Sequence, residues 1–258
     1  MLGTHSETAL YRTPAVEAYT YWELMKKALF HGLAIAALTV LTATAHAGNT
    51  IYGTAFGSGN TYGTTFADGV NATFTSAPGN FQLKSQAGVT GVGVAGKTAG
   101  ELDIGESIIG TFSQGVQLAS IRLGLLFDGP EYSDVNEVAK ITAYWVGGSQ
   151  SFTLTATGTH SALWTGSGSV LSIGSGSVNG GTGAWDILNP FGTQKITKIA
   201  FSALAGVAAS TCKTCNNQSD YTLVSVTAVP EPETYALMLA GLGLVGAIAR
   251  RRNQRKTA

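Results

Sequence analysis

Gly91-Val92-Gly93-Val94-Ala95-Gly96-Lys97-Thr98 satisfies the spacing of a phosphate-cradling loop. In such a loop backbone N–H groups and a helix N-terminus surround phosphate oxygens, the lysine reaches the terminal phosphates, and the threonine holds Mg²⁺. Leu125-Leu126-Phe127-Asp128 would supply the acidic strand of the same site. That chemistry needs a buried parallel strand before the loop and a sound helix after it. Upstream, Phe81-Gln82-Leu83-Lys84-Ser85-Gln86 is half polar; downstream, Gly100 and Gly105 fall in the first two turns of the required helix. Each glycine there costs about 1 kcal/mol. The residues therefore favour a glycine-rich strand and turn. A Gly-x-Gly-x-x-Gly pattern occurs at residues 91–96 and again at 241–246, in neither case within a βαβ unit.

Cys212-Lys213-Thr214-Cys215 has redox or half-zinc spacing. A zinc site needs a second ligand pair, and residues 48–228 contain one histidine, His160. A thioredoxin-type centre needs its first cysteine at a helix start, whereas this pair lies in a polar stretch between β-rich runs. Outside the cytosol a local Cys212–Cys215 disulfide is expected, with free or reactive thiols as the alternative. His160 would have to serve any Ser-His-Asp triad. Its setting, Thr157-Gly158-Thr159-His160-Ser161, is turn-like and reads as a solvated loop.

Acidic residues cluster at Glu101, Asp103, Glu106, Asp128, Glu131, Asp134 and Glu137. A hard cation such as Ca²⁺ takes six to eight oxygens, and Asp128, Glu131, Asp134 and Asn136 concentrate such oxygens in one loop. The order of ligands is not that of an EF-hand, so a solvated acidic loop is the default and a structural calcium site the alternative. Paired glycosidase carboxylates are not selected by any spacing. No cofactor is called for. Trp145 and Trp185 lie on alternating runs and read as core, although tryptophans and tyrosines could also stack on sugars.

The elements that must hold these residues have a period of two. Ser151 to Thr157 alternates, with Phe152, Leu154 and Ala156 on one face; Ile121, Leu123, Leu125 and Phe127 alternate likewise, as do Ile141, Ala143 and Trp145. Residues 196–201 and 221–226 are further β-rich runs, and Gly, Ser and Asn clusters separate them. Residues 49–69 suggest an edge hairpin, and residues 203–208 a helical turn. Many short alternating strands with frequent turn signals predict an all-β fold, an antiparallel, jelly-roll-like β-sandwich over residues 48–228. Glycine is 34 of 258 residues without a three-residue period, which excludes collagen, and 44% apolar residues exclude a solvating disordered chain. The formal net charge is zero, so nothing supports nucleic-acid binding.

That neutrality hides an asymmetry. Residues 48–228 carry seven Lys/Arg against ten Asp/Glu, a net of −3, while Lys26, Lys27, Arg250, Arg251, Arg252, Arg255 and Lys256 flank the two most apolar runs. Met25-Lys26-Lys27, an apolar run over 28–41, and Ala45-His46-Ala47 have the parts of a signal peptide over residues 25–47, cut after Ala47. Residues 1–24 then read as an upstream extension. At the other end Val229-Pro230-Glu231-Pro232-Glu233-Thr234 forms an extended neck before an apolar run over 235–249 and a basic tail over 250–258. Fifteen residues reach about 22 Å as a helix, short of a ~30 Å hydrocarbon core, so this transmembrane helix is a marginal anchor. Its basic end stays cytoplasmic.

Pro230-Glu231-Pro232, a short apolar helix and Arg250-Arg251-Arg252 resemble the tripartite signal of PEP-CTERM proteins. The resemblance implies recognition of the Pro-Glu-Pro region by exosortase, a membrane protease, after export and signal-peptidase cleavage. Such proteins occur in Gram-negative bacteria that make exopolysaccharide. Gly96 to Asp103, Asn136 to Ile141 and Ser219-Asp220-Tyr221 resemble elements of ectodomains in this family, which generally have no assigned activity.

The expectation is therefore a non-enzymatic protein, anchored transiently in the inner membrane and then placed at the cell surface or in the extracellular matrix. Exosortase and signal peptidase would be its processing partners and exopolysaccharide its surroundings. The alternative is a carbohydrate-binding β-sandwich module stabilised by calcium.

Overall fold

The computed structural model describes residues 50–65, 69–129, 136–176, 181–207, 219–229 and 232–254. Strands run, in chain order, β1 (Thr50–Tyr52), β2 (Thr61–Thr65), β3 (Asn71–Ala77), β4 (Phe81–Gln86), β5 (Val89–Val94), β6 (Ser107–Val116) and β7 (Leu118–Gly124). They continue as β8 (Asn136–Trp145), β9 (Gly148–Gly158), β10 (Ser161–Trp164), β11 (Ser169–Ser172), β12 (Trp185–Leu188), β13 (Ile196–Val207) and β14 (Thr222–Ala228). One helix, α1 (Pro232–Gln254), follows.

These strands build two antiparallel sheets. One has the order β11-β12-β7-β14-β5-β4, with β1 also paired to β14; the other has the order β10-β9-β8-β13-β6-β3-β2. β1 and β5 share one edge of β14, β1 beside Ser225 to Thr227 and β5 beside Leu223. The alternation seen in sequence sets which face is apolar. In β3, Ala72 and Phe74 are buried between exposed Asn71, Thr73 and Thr75; in β9, Phe152, Leu154 and Ala156 are buried. Val92, Ile121, Leu123, Ile187 and Leu223 of one sheet join Phe74, Ile108, Ile141, Leu154 and Phe201 of the other in one continuous core. Phe56 lies within 5.0 Å of both Phe74 and Phe81, ring centre to ring centre, and links strands of different sheets.

Several local expectations are corrected. Residues 49–69 do not form one hairpin: β1 joins β14, whereas β2 pairs with β3 at the edge of the other sheet. No helical turn starts at Ala203, because β13 continues to Val207 and pairs with β8 as far as Asn136. The run from Ile121 ceases to be a strand at Gly124. There Leu125 takes a positive φ of 59°, and its amide bonds to Thr182 instead of a neighbouring strand. Trp185 is fully buried and donates Nε1–H to the Leu126 carbonyl at 2.8 Å, but Trp145 is only half-buried.

Candidate functional site

The last strand leads directly into the sorting segment. Ala228 is buried, and the Val229 amide donates to the Gln117 carbonyl at 2.9 Å. Pro230 and Glu231 lie outside the described residues, and α1 begins at Pro232. Proline suits a first helical position because its missing N–H would be unpaired there anyway. The helix therefore takes in the last part of the expected neck, and at its other end Arg250, Arg251 and Arg252. Between these ends Leu244, Val245 and Ile248 are exposed on one side of the helix and Leu239 on the opposite side. Apolar side chains exposed on opposite sides suit lipid or another apolar partner rather than water. Among the described residues no helix is long and apolar enough to cross a membrane.

Residues 228–253 carry the PEP-CTERM protein-sorting motif. Order of parts and position agree: the Pro-Glu-Pro neck, the short apolar helix and the arginines follow the final strand of the β domain. No curated protein and no solved structure shows significant similarity to the chain. The PEP-CTERM motif supports an exported protein that exosortase processes from a membrane-anchored intermediate. Ala45 and Ala47 of the expected signal peptide, and Cys212 and Cys215, lie outside the described residues.

The glycine-lysine motif has a different role from the one its spacing suggests. Gly91 to Val94 belong to antiparallel β5, and the chain then turns instead of entering a helix: Gly100 N–H bonds back to the Val94 carbonyl and Glu101 N–H to that of Thr98. The loop's amides do bind an anion, supplied by the chain itself. Lys97 N–H donates to Glu106 Oε1 at 3.0 Å and Thr98 N–H to Asp103 Oδ2 at 2.5 Å. Thr98 Oγ1 lies 3.1 Å from Asp103 Oδ1 and 3.3 Å from Asp220 Oδ2, while Asp103 N–H donates to Glu106 Oε2. A Cβ at Gly96 would stand 1.5 Å from Glu106 Oε1, and one at Gly93 within 2.4 Å of the Glu101 backbone. Gly96 thus admits a carboxylate, and Gly93 the close approach of the Glu101 main chain.

Glu101, Asp103, Glu106 and Glu137 are buried. Buried carboxylates require partners, and turn amides provide them. Glu137 accepts from the Phe127 amide in the same manner. Glu101 is the exception in kind: it pairs with Lys84 Nζ at 2.7 Å, yet its pKa is raised from 4.5 to about 7. Loss of hydration is the main cause, Asp220 adds repulsion, and Lys84 offsets part of both.

The remaining sequence candidates are spread apart. Asn136 Oδ1 accepts from the Gly129 amide at 2.9 Å, which closes the base of the loop proposed for calcium. Asp128 is half-buried beside it, whereas Glu131 and Asp134 lie outside the described residues. Among the described residues no group of three or more His, Cys, Asp or Glu is arranged to hold a metal. His160 is exposed, with Nδ1 3.4 Å from Ser172 Oγ.

Sequence reasoning missed one cleft, of about 380 Å³, beside the β8–β9 hairpin. Trp145, Gln150 and Phe152 come from that hairpin, Thr165 from the β10–β11 loop, and Phe191 and Gln194 from the β12–β13 loop. Phe152 packs between Trp164, at 5.5 Å and 29°, and Phe191, at 5.2 Å. Both loops are pinned: Thr165 exchanges bonds with the backbone of Thr153, and Gln117 Nε2 donates to the Gly192 carbonyl. Only the position of Trp145 next to the hairpin turn could have hinted at the cleft.

Proposed function

We propose that this chain is an exported cell-surface or extracellular-matrix protein, sorted by exosortase and associated with exopolysaccharide. The observation that carries the reading is the PEP-CTERM motif joined, through Val229, to the end of a β-sheet domain. In this reading residues 25–47 direct translocation and are removed after Ala47. The apolar stretch of α1, residues 235–249, then holds the chain briefly in the inner membrane with Arg250, Arg251 and Arg252 on the cytoplasmic side. A cut in the neck separates the β domain from this anchor, so the anchor has to hold the chain only until the protease acts. Exosortase cleaves in the neck near Pro230, Glu231 and Pro232, and the jelly-roll-like sandwich is delivered outside.

The sandwich acts in this account by binding and placement, not by catalysis. Its phosphate-like loop is already filled by Glu106 and Asp103. His160, the histidine of residues 48–228, lies beside a serine hydroxyl at an exposed turn. Deletion of the exosortase gene in the native host tests the reading. The expected result is accumulation of the chain in the membrane fraction with its C-terminal segment intact. Unchanged release would overturn it.

A further inference from the structure

We infer that the cleft between the β8–β9 hairpin and the two neighbouring loops is a binding site for an uncharged polysaccharide. Its floor is aromatic and rigid. Phe152 and Phe191 are buried against each other and against Trp164, whose Nε1–H is fixed to the Pro190 carbonyl at 3.2 Å. Trp145 differs from these three in being half-buried, and it lines the cleft. Sugar rings present an apolar C–H face and a rim of hydroxyls, and a partly exposed indole above an aromatic floor matches that face.

The rim supplies the complementary polar groups. Gln150, Thr165, Ser167 and Gln194 line the cleft and are exposed. Amides and hydroxyls both donate and accept, as a hydroxylated ligand requires. None of the lining residues is ionisable. A polyuronate or phosphorylated polymer would call for Lys or Arg forks at the rim, so the lining selects a neutral chain. Gln194 Nε2 is held by the Lys195 carbonyl at 2.9 Å, which leaves its oxygen as an acceptor in a fixed place. At about 380 Å³ the cleft lies within the range of small-molecule pockets, ~300–1,000 Å³. The pinned loops mean that little ordering is lost on binding.

This inference rests on the proposed exported location for the place where the ligand is met, but its test does not. The purified full-length chain, held in detergent, is run through native gels containing hydroxyethylcellulose, laminarin or galactomannan as neutral polymers, or alginate as a polyuronate. Retardation by at least one neutral polymer and none by alginate is expected. Trp145→Phe, and separately the double variant Gln150→Ala with Gln194→Ala, should each weaken that retardation at least tenfold while circular dichroism and Tm confirm folding. If Trp145→Phe fails to fold, the double variant alone decides, because both its side chains are exposed. Free migration through all three neutral polymers, retardation by alginate alone, or retardation of the folded variants equal to that of the parent would overturn the proposal. A chain that binds here but is not cut in the host would contradict only the sorting account, and a chain that is cut but does not bind would contradict only this one.

Discussion

Replacing Glu101 by Gln should remove a pH dependence of stability that this buried carboxyl imposes on the β domain. Glu101 is 3% exposed, between Lys84 on β4 and the acids Asp220 and Asp103. Its folded pKa of about 7 exceeds the value of 4.5 that it has when hydrated. The folded state therefore binds more protons than the unfolded one between these values, and stability falls as pH rises. The contribution is complete below about pH 4.5 and lost as pH passes about 7. A shift of that size corresponds to about 3 kcal/mol at most. Urea unfolding of the parent and of Glu101→Gln, across the interval from about pH 4.5 to about pH 8, measures it. The parent should lose stability toward the alkaline end, and the difference between the two proteins should change by up to that amount. A difference constant across the interval would refute the reasoning. It would mean that Lys84, 2.7 Å away, compensates the lost hydration fully and keeps the carboxyl ionised throughout.

Two further substitutions probe the packing. Gly93→Ala places a methyl 2.3–2.4 Å from the backbone of Glu101, which cannot swing aside as a side chain can. A loss of at least about 2 kcal/mol in denaturant unfolding is expected, and a loss below about 0.5 kcal/mol would contradict the close approach. Arg122→Ala strands Asp186, 8% exposed and bonded to Arg122 at 2.6 Å across paired strands β7 and β12. The arginine is 41% exposed, so water screens the pair and about 1–3 kcal/mol is the expected cost. Adding Asp186→Asn should recover part of it, because the buried charge is then gone.

The strands were legible wherever one face is buried and the other wet. Phe152, Leu154 and Ala156 alternate with serine and threonine, and β9 follows that pattern. Where both faces are covered the period fades: β14 has Thr222, Ser225 and Ala228 buried together with Leu223 and Val226, so its polar residues did not mark an outer face. The buried acids were illegible for another reason. Glu106 and Asp103 are made tolerable by main-chain amides of Lys97 and Thr98, and an amide donor has no residue type to read. The hint available was a glycine-rich turn with carboxylates within ten residues, the same features that imitate a nucleotide site. Phe191, in an irregular loop 39 positions after Phe152, gave no periodic sign of the cleft it helps to form. The sorting segment, by contrast, was read from order alone, because neck, apolar run and arginines are contiguous and need no fold to bring them together.

Intact-mass spectrometry of the extracellular protein from its native host tests the central claim most directly. The account predicts a chain that begins after Ala47 and ends within or just after Pro230-Glu231-Pro232, lacking Arg250, Arg251 and Arg252 altogether. An extracellular form whose mass still includes those arginines would contradict it.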